Sequence, residues 1–392
     1  MRFKRTIATA IFGVLLALLY FTSDFALIDI EKTAIVVAIG IDKDENGYSV
    51  TAQIGVPEGS ESSSKKDDAV MTGTGKTVLE AIDNVGAETG WHPKLSFCSM
   101  IFIGKDVATD DVETIIDFFV TSERVDNSAT IAMTDGKASE LLTAKTPLDS
   151  ITSFALQKIV LKSEWMVSTV GATNLKSFAV MTNSRSKSAY MPVIDVIKGK
   201  VESSGENAQS GGEGKSQSGG GEKKDEEVLF DSSSVGLFFN GSYVGRLSDE
   251  ETLLYYMLIG PVYQCFIGVG DNNEQYFLTI ESNERTIDVD VLSATVYLKL
   301  KLKVSLADST EGIDLTSVVK KTVVDRKVLR ALENKLDEIA ASLSGKIVDT
   351  KADIFMIKER IYKYHNSDYE RLKDLSIDKF TFKTENIVVS AD

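Results

Sequence analysis

The apolar run near the start of the chain constrains the fold most, because it decides on which side of a membrane the rest of the chain lies. Three cations, Arg2, Lys4 and Arg5, precede the run. Its apolar residues are Ile7, Ile11, Phe12, Val14, Leu15, Leu16, Leu18, Leu19 and Phe21. A helix over residues 6–28 would be about 34 Å long, enough to cross a hydrocarbon core of about 30 Å. Residues 1–28 are therefore predicted to form a membrane-targeting helix, with the residues that follow on the extracytoplasmic side because the basic end stays in the cytoplasm.

A cleaved signal peptide is the alternative interpretation of the same run. The uncharged core from Ile7 to Phe21 would span only about 22 Å as a helix, which is short for a full crossing. Against cleavage, no pair of small residues with the spacing of a cleavage site follows the run. Against lipid attachment, no cysteine lies near it. We therefore favour an uncleaved anchor and keep the signal peptide as the alternative.

The chain is acidic, with 58 Asp and Glu against 43 Lys and Arg and a formal net charge of -15. A surface that binds nucleic acid needs the opposite sign, so nucleic acid is not an expected partner. Hydrophobic residues make up 43% of the chain, which is sufficient for cores of ordinary size. The composition therefore predicts folded domains behind the apolar run.

Few residues are available for catalysis or metal binding. The two cysteines, Cys98 and Cys265, lie far apart and are expected to be small buried residues rather than a disulfide framework. The two histidines, His92 and His365, are expected in surface or turn positions, which leaves little material for a metal cluster or a histidine-based catalytic group. The chain is therefore predicted to be non-enzymatic, without a cofactor or a metal.

Strands and helices alternate over residues 29–198, which predicts an α/β domain. A continuous apolar run at 34–41 predicts a strand buried on both faces, and the Asn46-Gly47 turn pairs it with a second strand at 50–56. Thr146-Pro147 is expected to begin a helix. Further strands are predicted at 97–103, 129–133 and 190–197, and further helices at 78–85, 112–119, 137–144 and 173–181.

Residues 72–77 read Thr-Gly-Thr-Gly-Lys-Thr, and the final Gly75-Lys76-Thr77 is similar to the end of a phosphate-binding loop. Such a loop also needs a glycine where this chain has Val70, and a hydrophobic strand where it has the polar residues 62–68. We therefore interpret the segment as a turn that begins the following helix. A nucleotide-hydrolysing enzyme is the least favoured of three functional hypotheses.

Residues 199–227 differ in kind from the segments around them. Glycine, serine and charged residues dominate, and burial of the few apolar residues cannot repay the entropy lost on ordering. The segment is predicted to be a flexible linker. It would separate the N-terminal α/β domain from a middle domain at 228–280 and a C-terminal α+β domain at 281–392.

The second half of the chain carries the clearest periodicities. From Thr295 to Leu306, apolar residues alternate with Lys299, Lys301 and Lys303, which predicts a strand whose lysine face is solvated and discourages edge pairing. An amphipathic helix is predicted at 325–343, with Gly345 just past its end. The other predicted elements are a strand, turn and strand at 235–246, helices at 248–259 and 350–364, and strands at 275–280, 287–292 and 379–389. The predicted fold class is α+β, multidomain, with mixed sheets and packed helices behind an N-terminal anchor helix.

Three stretches, taken together, resemble the Ger(x)C family of spore germination proteins. The first is residues 30–44, where an apolar strand ends in a Gly-Ile-Asp-Lys pattern. The second is residues 236–251, a strand, a turn and a Val-Gly-x-Leu segment followed by Glu. The third is residues 351–355. The family-matched residues are Gly40, Asp42, Lys43, Gly236, Gly241, Gly245, Glu251, Asp353 and Phe355.

Three departures from the family pattern accompany the resemblance. Family members usually carry a lipid-attachment cysteine just before the first strand, and residues 25–30 contain none, so the apolar helix would replace the lipid anchor. Cys98-Ser99 stands where the family tends to have Ser-His. After Asp353-Ile-Phe the family often shows Gly-x-Gly, where this chain has Met356 and Lys358. If those glycines serve a close backbone approach, that contact is altered here.

The resemblance implies a membrane-anchored, extracytoplasmic C subunit of a nutrient germinant receptor in the spore membrane. It also implies two kinds of partner, an A-type subunit with soluble and membrane parts and a multi-spanning B-type subunit. The alternative function is an extracytoplasmic solute-binding protein that delivers a small nutrient to a membrane partner. Such a protein would need a pocket of aromatic and polar groups.

Overall fold

The computed structural model describes residues 11–14, 33–55, 68–110, 112–122, 124–147, 149, 151–161, 172–197, 228–262, 265–270, 274–310 and 324–391. Residues 11–14 of the predicted anchor are helical, and its other residues and the predicted linker at 199–227 lie outside this set. Among the described residues, no helix is both long and apolar enough to span a membrane. The α+β class is confirmed, with two mixed sheets and helices packed against them.

Ten strands form the N-terminal sheet. They are β1 (Thr33–Asp44), β2 (Gly47–Gly55), β3 (Asp68–Gly75), β4 (His92–Lys94), β5 (Met100–Ile103), β6 (Thr130–Met133), β7 (Thr173–Asn174), β8 (Ser188–Ile197), β9 (Leu229–Phe239) and β10 (Ser242–Arg246). Their order is β10-β9-β8-β6-β5-β1-β2-β3, with β4 beside β1 and β7 beside β6. The helices of this half are α1 (Val78–Thr89), α2 (Lys105–Asp110), α3 (Val112–Ser122), α4 (Ala138–Thr143), α5 (Thr152–Leu161) and α6 (Leu175–Thr182).

Four strands form the C-terminal sheet. They lie in chain order as β11 (Cys265–Gly270), β12 (Gln275–Asp290), β13 (Thr295–Ser309) and β14 (Thr381–Ser390). The helices of this half are α7 (Asp249–Ile259), α8 (Arg326–Thr350), α9 (Ile357–Tyr364) and α10 (Asn366–Leu372). All neighbouring pairs are antiparallel except β13 and β14, which are parallel.

The strand β1 lies inside the N-terminal sheet and is buried along most of its length, as its apolar sequence predicts. The Asn46-Gly47 turn joins it to β2, and the two strands pair antiparallel with Asp44 opposite Gly47. Side chains of α1, α3 and α6 join the core on one face, and those of α4 and α5 join the core on the other. The parallel strands at the centre of this sheet are therefore covered on both sides.

Residues 228–280, predicted as a middle domain, are divided between the two sheets. β9 pairs antiparallel with β8, and β10 pairs with β9, so these two strands complete the N-terminal sheet. α7, β11 and β12 belong instead to the core of the C-terminal half. Val235 and Leu237 of β9 enter that core, whereas Phe238 enters the core of the N-terminal sheet. One strand therefore contributes to both apolar interiors.

Two predicted boundaries in the N-terminal half are wrong. The Thr-Gly-Thr-Gly segment is the end of β3 rather than a turn, and α1 packs so closely on it that a Cβ at Gly73 would clash with the carbonyl oxygen of Ala81. The helix predicted to begin at Thr146-Pro147 begins at Thr152. Its Ser153 amide donates to Oε1 of Gln53 on β2 at 2.9 Å. A capping group supplied by a distant strand leaves no local signal in the sequence.

The helical boundaries in the C-terminal half also differ from the prediction. α8 continues past Gly345 to Thr350, because Leu343 and Ile347 on either side of the glycine are both buried in the core. It ends at Lys351, which has a left-handed φ of 58°. The helix predicted at 350–364 begins only at Ile357. The residues between the two helices form a loop that contains the third family-matched stretch.

The strand prediction at Thr295 to Leu306 is confirmed, but its neighbours differ from expectation. β13 is an inner strand that pairs with β12 and β14, so its lysines do not protect an edge. Instead, Lys301 pairs with Glu284 of β12 at 3.0 Å, and Lys299 pairs with Glu385 of β14 at 3.4 Å. The two strands predicted at 275–280 and 287–292 are one strand, β12, which follows β13 along most of its length.

Candidate functional site

The loop between α8 and α9 places Asp353 against the N-terminal sheet. Its Oδ1 accepts from the Ile357 amide at 2.9 Å, and its Oδ2 accepts from the Lys358 amide at 3.0 Å, so the carboxylate caps the start of α9. Oδ2 also accepts from the Ser186 hydroxyl at 2.6 Å, and the Asp353 amide donates to the Ser188 hydroxyl at 2.9 Å. Burial raises the pKa of Asp353 above its ordinary value, although the Ser186 hydroxyl and the two amides favour the carboxylate.

Three aromatic side chains pack beside Asp353. The ring centroids of Tyr190 on β8 and Tyr255 on α7 are 5.2 Å apart, and those of Tyr255 and Phe355 are 5.4 Å apart. The Tyr255 hydroxyl donates to the Ile354 carbonyl at 3.2 Å, and burial raises its pKa well above the ordinary value. We call the contact formed by Ser186, Ser188, Tyr190, Tyr255, Asp353 and Phe355 the junction, since it joins the two sheets.

Arg185 makes further contacts at the edge of the junction. Its guanidinium carbon lies 3.2 Å from the centroid of the Tyr362 ring, and its Nη1 is 3.4 Å from Oε2 of Glu359. Both partners lie on α9. Next to them, Met356 has a φ of 56°, in the left-handed region that favours glycine. Position 356 is one of the two at which the Ger(x)C family often has glycine. The left-handed backbone conformation is therefore present here although the residue is methionine.

Glu251 ties α7 to α8. It forms a capping box with Ser248, in which the Ser248 amide donates to Oε2 at 2.7 Å and the Glu251 amide donates to the Ser248 hydroxyl at 3.3 Å. From α8, Lys346 donates to Oε2 at 2.5 Å and Ser342 donates to Oε1 at 2.6 Å. Burial alone would raise the pKa of Glu251, but the hydrogen bonds from Lys346, Ser342 and Ser248 outweigh it and hold the pKa below the ordinary value.

The family-matched glycines of the second stretch lie in and beside the β9–β10 hairpin. Gly236 is in β9 opposite Met191 of β8. Gly241 occupies the hairpin turn with a φ of 76°, a conformation that other residues seldom adopt. Gly245 in β10 faces α8, where a Cβ would lie 3.1 Å from the Thr350 side chain. Gly241 therefore allows the tight turn of the hairpin, and the absence of a side chain at Gly245 lets α8 approach the hairpin.

The first family-matched stretch lies elsewhere, at the end of β1. Asp42 accepts from the Ala138 amide at 2.7 Å and from the Ser139 amide at 2.9 Å, so it caps α4 from a neighbouring strand. Gly40 lets α4 approach, since a Cβ there would lie 3.0 Å from Cβ of Ala138. Lys43 is 3.9 Å from Asp110. The second and third stretches therefore both contribute side chains to the core of the C-terminal half, whereas the first belongs to the core of the N-terminal sheet.

The residues that the sequence offers for nucleotide binding or catalysis have structural roles. Thr77 caps α1, with its hydroxyl accepting from the Glu80 amide at 3.2 Å, and the Lys76 amide donates to the Glu80 carboxylate at 2.8 Å. Cys98 and Cys265 are both buried, as predicted, and burial raises the pKa of each thiol to about 12. Among the described residues, no group of three or more His, Cys, Asp or Glu is placed to hold a metal ion.

A groove of about 710 Å³ lies between α7, α8 and the β11–β12 turn. Its lining includes Glu250, Glu274, Tyr276, Lys335 and Glu338. Lys335 pairs with Glu250 at 2.7 Å across the groove. The volume is in the range of small-molecule sites, and the lining mixes an aromatic ring with charged groups. No local sequence pattern indicates this groove, because its walls come from three separate segments.

The junction partners of Asp353 were also not predicted. Ser188 and Tyr190 lie at the start of β8 and Ser186 lies in the turn just before it, and nothing in their local pattern distinguishes them from other turn or strand residues. The one available signal was the polar Asp353 between apolar neighbours, since a buried carboxylate requires donors.

Two family models match the chain. The N-terminal domain of spore germination proteins matches residues 27–196, and the C-terminal model described as spore germination B3/GerAC like matches residues 233–391. Among curated proteins, the chain is similar to spore germination protein KC of Bacillus subtilis (strain 168), with 22% identity over 367 residues that cover 88% of this chain and 85% of the relative.

Among solved structures, the chain is similar to the crystal structure of the GerBC protein. The TM-score is 0.53 and the identity is 14%, over 93% of this chain and 100% of that chain. At this identity the likeness shows the fold alone. The two family models together span both sheets and confirm the resemblance to Ger(x)C proteins, so the chain belongs to the GerAC-like family of spore germination proteins.

Proposed function

We propose that this chain is the membrane-anchored, extracytoplasmic and non-enzymatic C subunit of a spore nutrient germinant receptor. It acts by holding an A-type and a B-type membrane subunit, and it is needed for assembly of the receptor and for the germination response. Membership of a spore germination family supports the general role. The apolar run at Ile7 to Phe21 supports the anchor and the extracytoplasmic location.

One observation carries the proposal of a holding role. Two buried carboxylates accept hydrogen bonds from groups within the chain. Asp353 accepts from Ser186 and from the first amides of α9. Glu251 accepts from Lys346 and Ser342 of α8. Together with the bond from the Asp353 amide to Ser188 of β8, these bonds hold β8, α7, α8 and α9 in fixed positions relative to each other. A body that is rigid in this way presents constant surfaces to its neighbours, which suits a subunit that works by binding.

Co-purification from spore membranes tests the proposal. A full-length chain with a C-terminal tag is expected to bring down one A-type and one B-type subunit after mild detergent extraction. A variant with Leu15, Leu16, Leu18 and Leu19 all changed to Asn should leave the membrane fraction, because four amides make the run too polar to stay in hydrocarbon. A matched variant with Ser367, Glu370, Lys373 and Asp374, exposed residues in and just after α10, all changed to Asn is the control. A tagged chain that is recovered alone from the membrane refutes the proposal.

The groove favours a second candidate, the extracytoplasmic solute-binding protein. Its volume of about 710 Å³ is sufficient for a small nutrient, and Tyr276 supplies an aromatic wall beside the charged rim. A panel of amino acids and sugars should then raise the melting temperature of the full chain. Glu338→Gln in the rim should weaken the shift, and Asp117→Gln on the distant α3 should not. Absence of any shift over the panel counts against this candidate and leaves the first one standing.

A further inference from the structure

Three exposed apolar side chains lie at the end of the N-terminal sheet where β1 begins. Trp91 is 45% exposed, Phe97 is 60% exposed and Ile35 is 37% exposed. Trp91 immediately precedes β4, whose His92 pairs with Thr33 and whose Lys94 pairs with Ile35. Phe97 is in the 3-10 turn Leu95–Phe97 that follows β4 and contacts β1. Pairing of β4 with the first residues of β1 therefore holds all three at one end of the sheet.

The segments that carry these side chains contain no acidic residue, although Glu31 and Glu88 flank them in the sequence. No Asp or Glu occurs from residue 90 to residue 105 or from residue 33 to residue 41, although the whole chain has 58. His92 and Lys94 are both exposed there. The net charge of -15 opposes contact between most of the surface and anionic lipid, but this end offers aromatic rings beside cations. Tryptophan with lysine is the combination that proteins place at the boundary between headgroups and hydrocarbon.

The chain connectivity places the same end close to the apolar run. The run ends at Phe21 and β1 starts at Thr33, so no more than about 40 Å of extended chain separates them. The opposite end of β1, at Asp44, lies about 36 Å further along the strand. If the run is held in a membrane, the start of β1 is the end of the sheet that the tether keeps nearest to the lipid.

We propose that Trp91, Phe97 and Ile35 form a second membrane contact, resting in the headgroup region with Lys94 and His92 directed at lipid phosphates. The contact orients β1 away from the membrane and leaves the Asn46-Gly47 turn at its outer end. It rests on the proposed function in one respect, namely that the chain is anchored at a membrane. The residues between the apolar run and β1 only limit how far the N-terminal sheet can lie from the membrane. The proposed contact also fixes the angle between β1 and the membrane surface.

Fluorescence quenching by brominated lipid tests the contact. The chain has two tryptophans, so Trp165→Phe in the full chain leaves Trp91 as the only one. The variant is reconstituted in vesicles of equal parts phosphatidylcholine and phosphatidylglycerol, with or without bromine on the acyl chains close to the headgroups. Emission of Trp91 is expected to shift to shorter wavelength and to fall by about half in the brominated vesicles, as for an indole at the interface.

A tryptophan at the far end of β1 provides the matched control. Glu45→Trp in a background with both native tryptophans changed to Phe should show no quenching, because position 45 lies about 36 Å from the contact. Phe97→Trp in the same background is a second reporter of the contact, should Trp165→Phe disturb folding, and it should be quenched like Trp91.

The possible results separate this inference from the proposed function. A chain that floats with the vesicles while Trp91 keeps its full emission overturns the contact and leaves the anchor intact. Equal quenching of Trp91 and of the tryptophan at position 45 overturns the orientation. A chain that does not associate with vesicles overturns the anchor and the contact together.

Discussion

The hydroxyl of Ser186 donates a hydrogen bond of 2.6 Å to Oδ2 of Asp353, joining residues that are 167 positions apart in the chain. The same carboxylate caps α9, so one buried side chain fixes both the start of a helix and its position beside the turn that precedes β8. Because Asp353 is 2% exposed, water cannot replace a lost partner. The junction is therefore expected to be sensitive to single changes.

Asp353→Asn is expected to lower the free energy of unfolding by about 1–3 kcal/mol, because the amide NH2 would face donors that now point at a carboxylate. Urea unfolding of the full chain in detergent gives the measurement. Asp374→Asn, an exposed change in the same half, is the control and should be close to neutral. Equal stability of the two variants would show that the bonds of the Asp353 carboxylate contribute nothing to stability.

The pH dependence of stability is expected to depend on Glu251. Its pKa is held below the ordinary value of 4.5 in the folded chain, so its contribution is complete above the unfolded pKa and is lost as the pH falls through 4.5 toward the folded pKa. As the pH falls from about 6 through 4.5 and on toward the folded pKa, the native chain should therefore lose more stability than Glu251→Gln. Denaturant midpoints at several pH values check this, with the exposed Glu338→Gln on α8 as the control. A Glu251→Gln profile parallel to the native one would contradict it.

Asp42→Ala should destabilise the N-terminal sheet by about 1–3 kcal/mol, because it leaves the amides of Ala138 and Ser139 without their acceptor in a buried place. Asp44→Ala is a close control, since the Asp44 carboxylate accepts from the exposed Asn46 amide in the hairpin turn. That variant should change stability by less than about 0.5 kcal/mol. Thermal unfolding of both measures the difference, and equal effects would refute the capping role.

Two glycine changes are expected to have opposite signs. Gly345→Ala should raise the free energy of unfolding by about 0.5–1 kcal/mol, because the glycine is inside α8 and a Cβ there would meet nothing within 4 Å. Gly73→Ala should lower it, because the added Cβ would clash with the backbone of α1. Urea unfolding provides the comparison. A loss of stability for Gly345→Ala would show that the helix does not continue through residue 345.

Elements with a local signal were predictable from the sequence. The apolar run before Asp42 and the Asn46-Gly47 turn gave the first hairpin, and both are seen as predicted. Ser248 followed three residues later by Glu251 is the pattern of a capping box, and the helix begins there. The alternation of leucine and lysine predicted β13, because a period of two residues is a property of the strand itself.

Predictions failed where the deciding partner is distant. α8 runs through Gly345 because Leu343 and Ile347 both reach the core, and this burial outweighs the cost of one glycine. The start of α5 depends on Gln53 of β2, which accepts from the Ser153 amide. The inner position of β13 depends on β14, a strand near the C-terminus that pairs with it. No local pattern contains these partners.

The sequence by itself determined the apolar run, the acidic character, the main strands and helices and the resemblance to a family. Only the tertiary structure decided that residues 228–280 are shared between two sheets and that Asp353 meets Ser186. The physical reason is that propensities, caps and periodicities act over a few residues, whereas the pairing of sheets is fixed by the burial of whole apolar faces. That burial is a sum over both halves of the chain, so it cannot be read from either half alone.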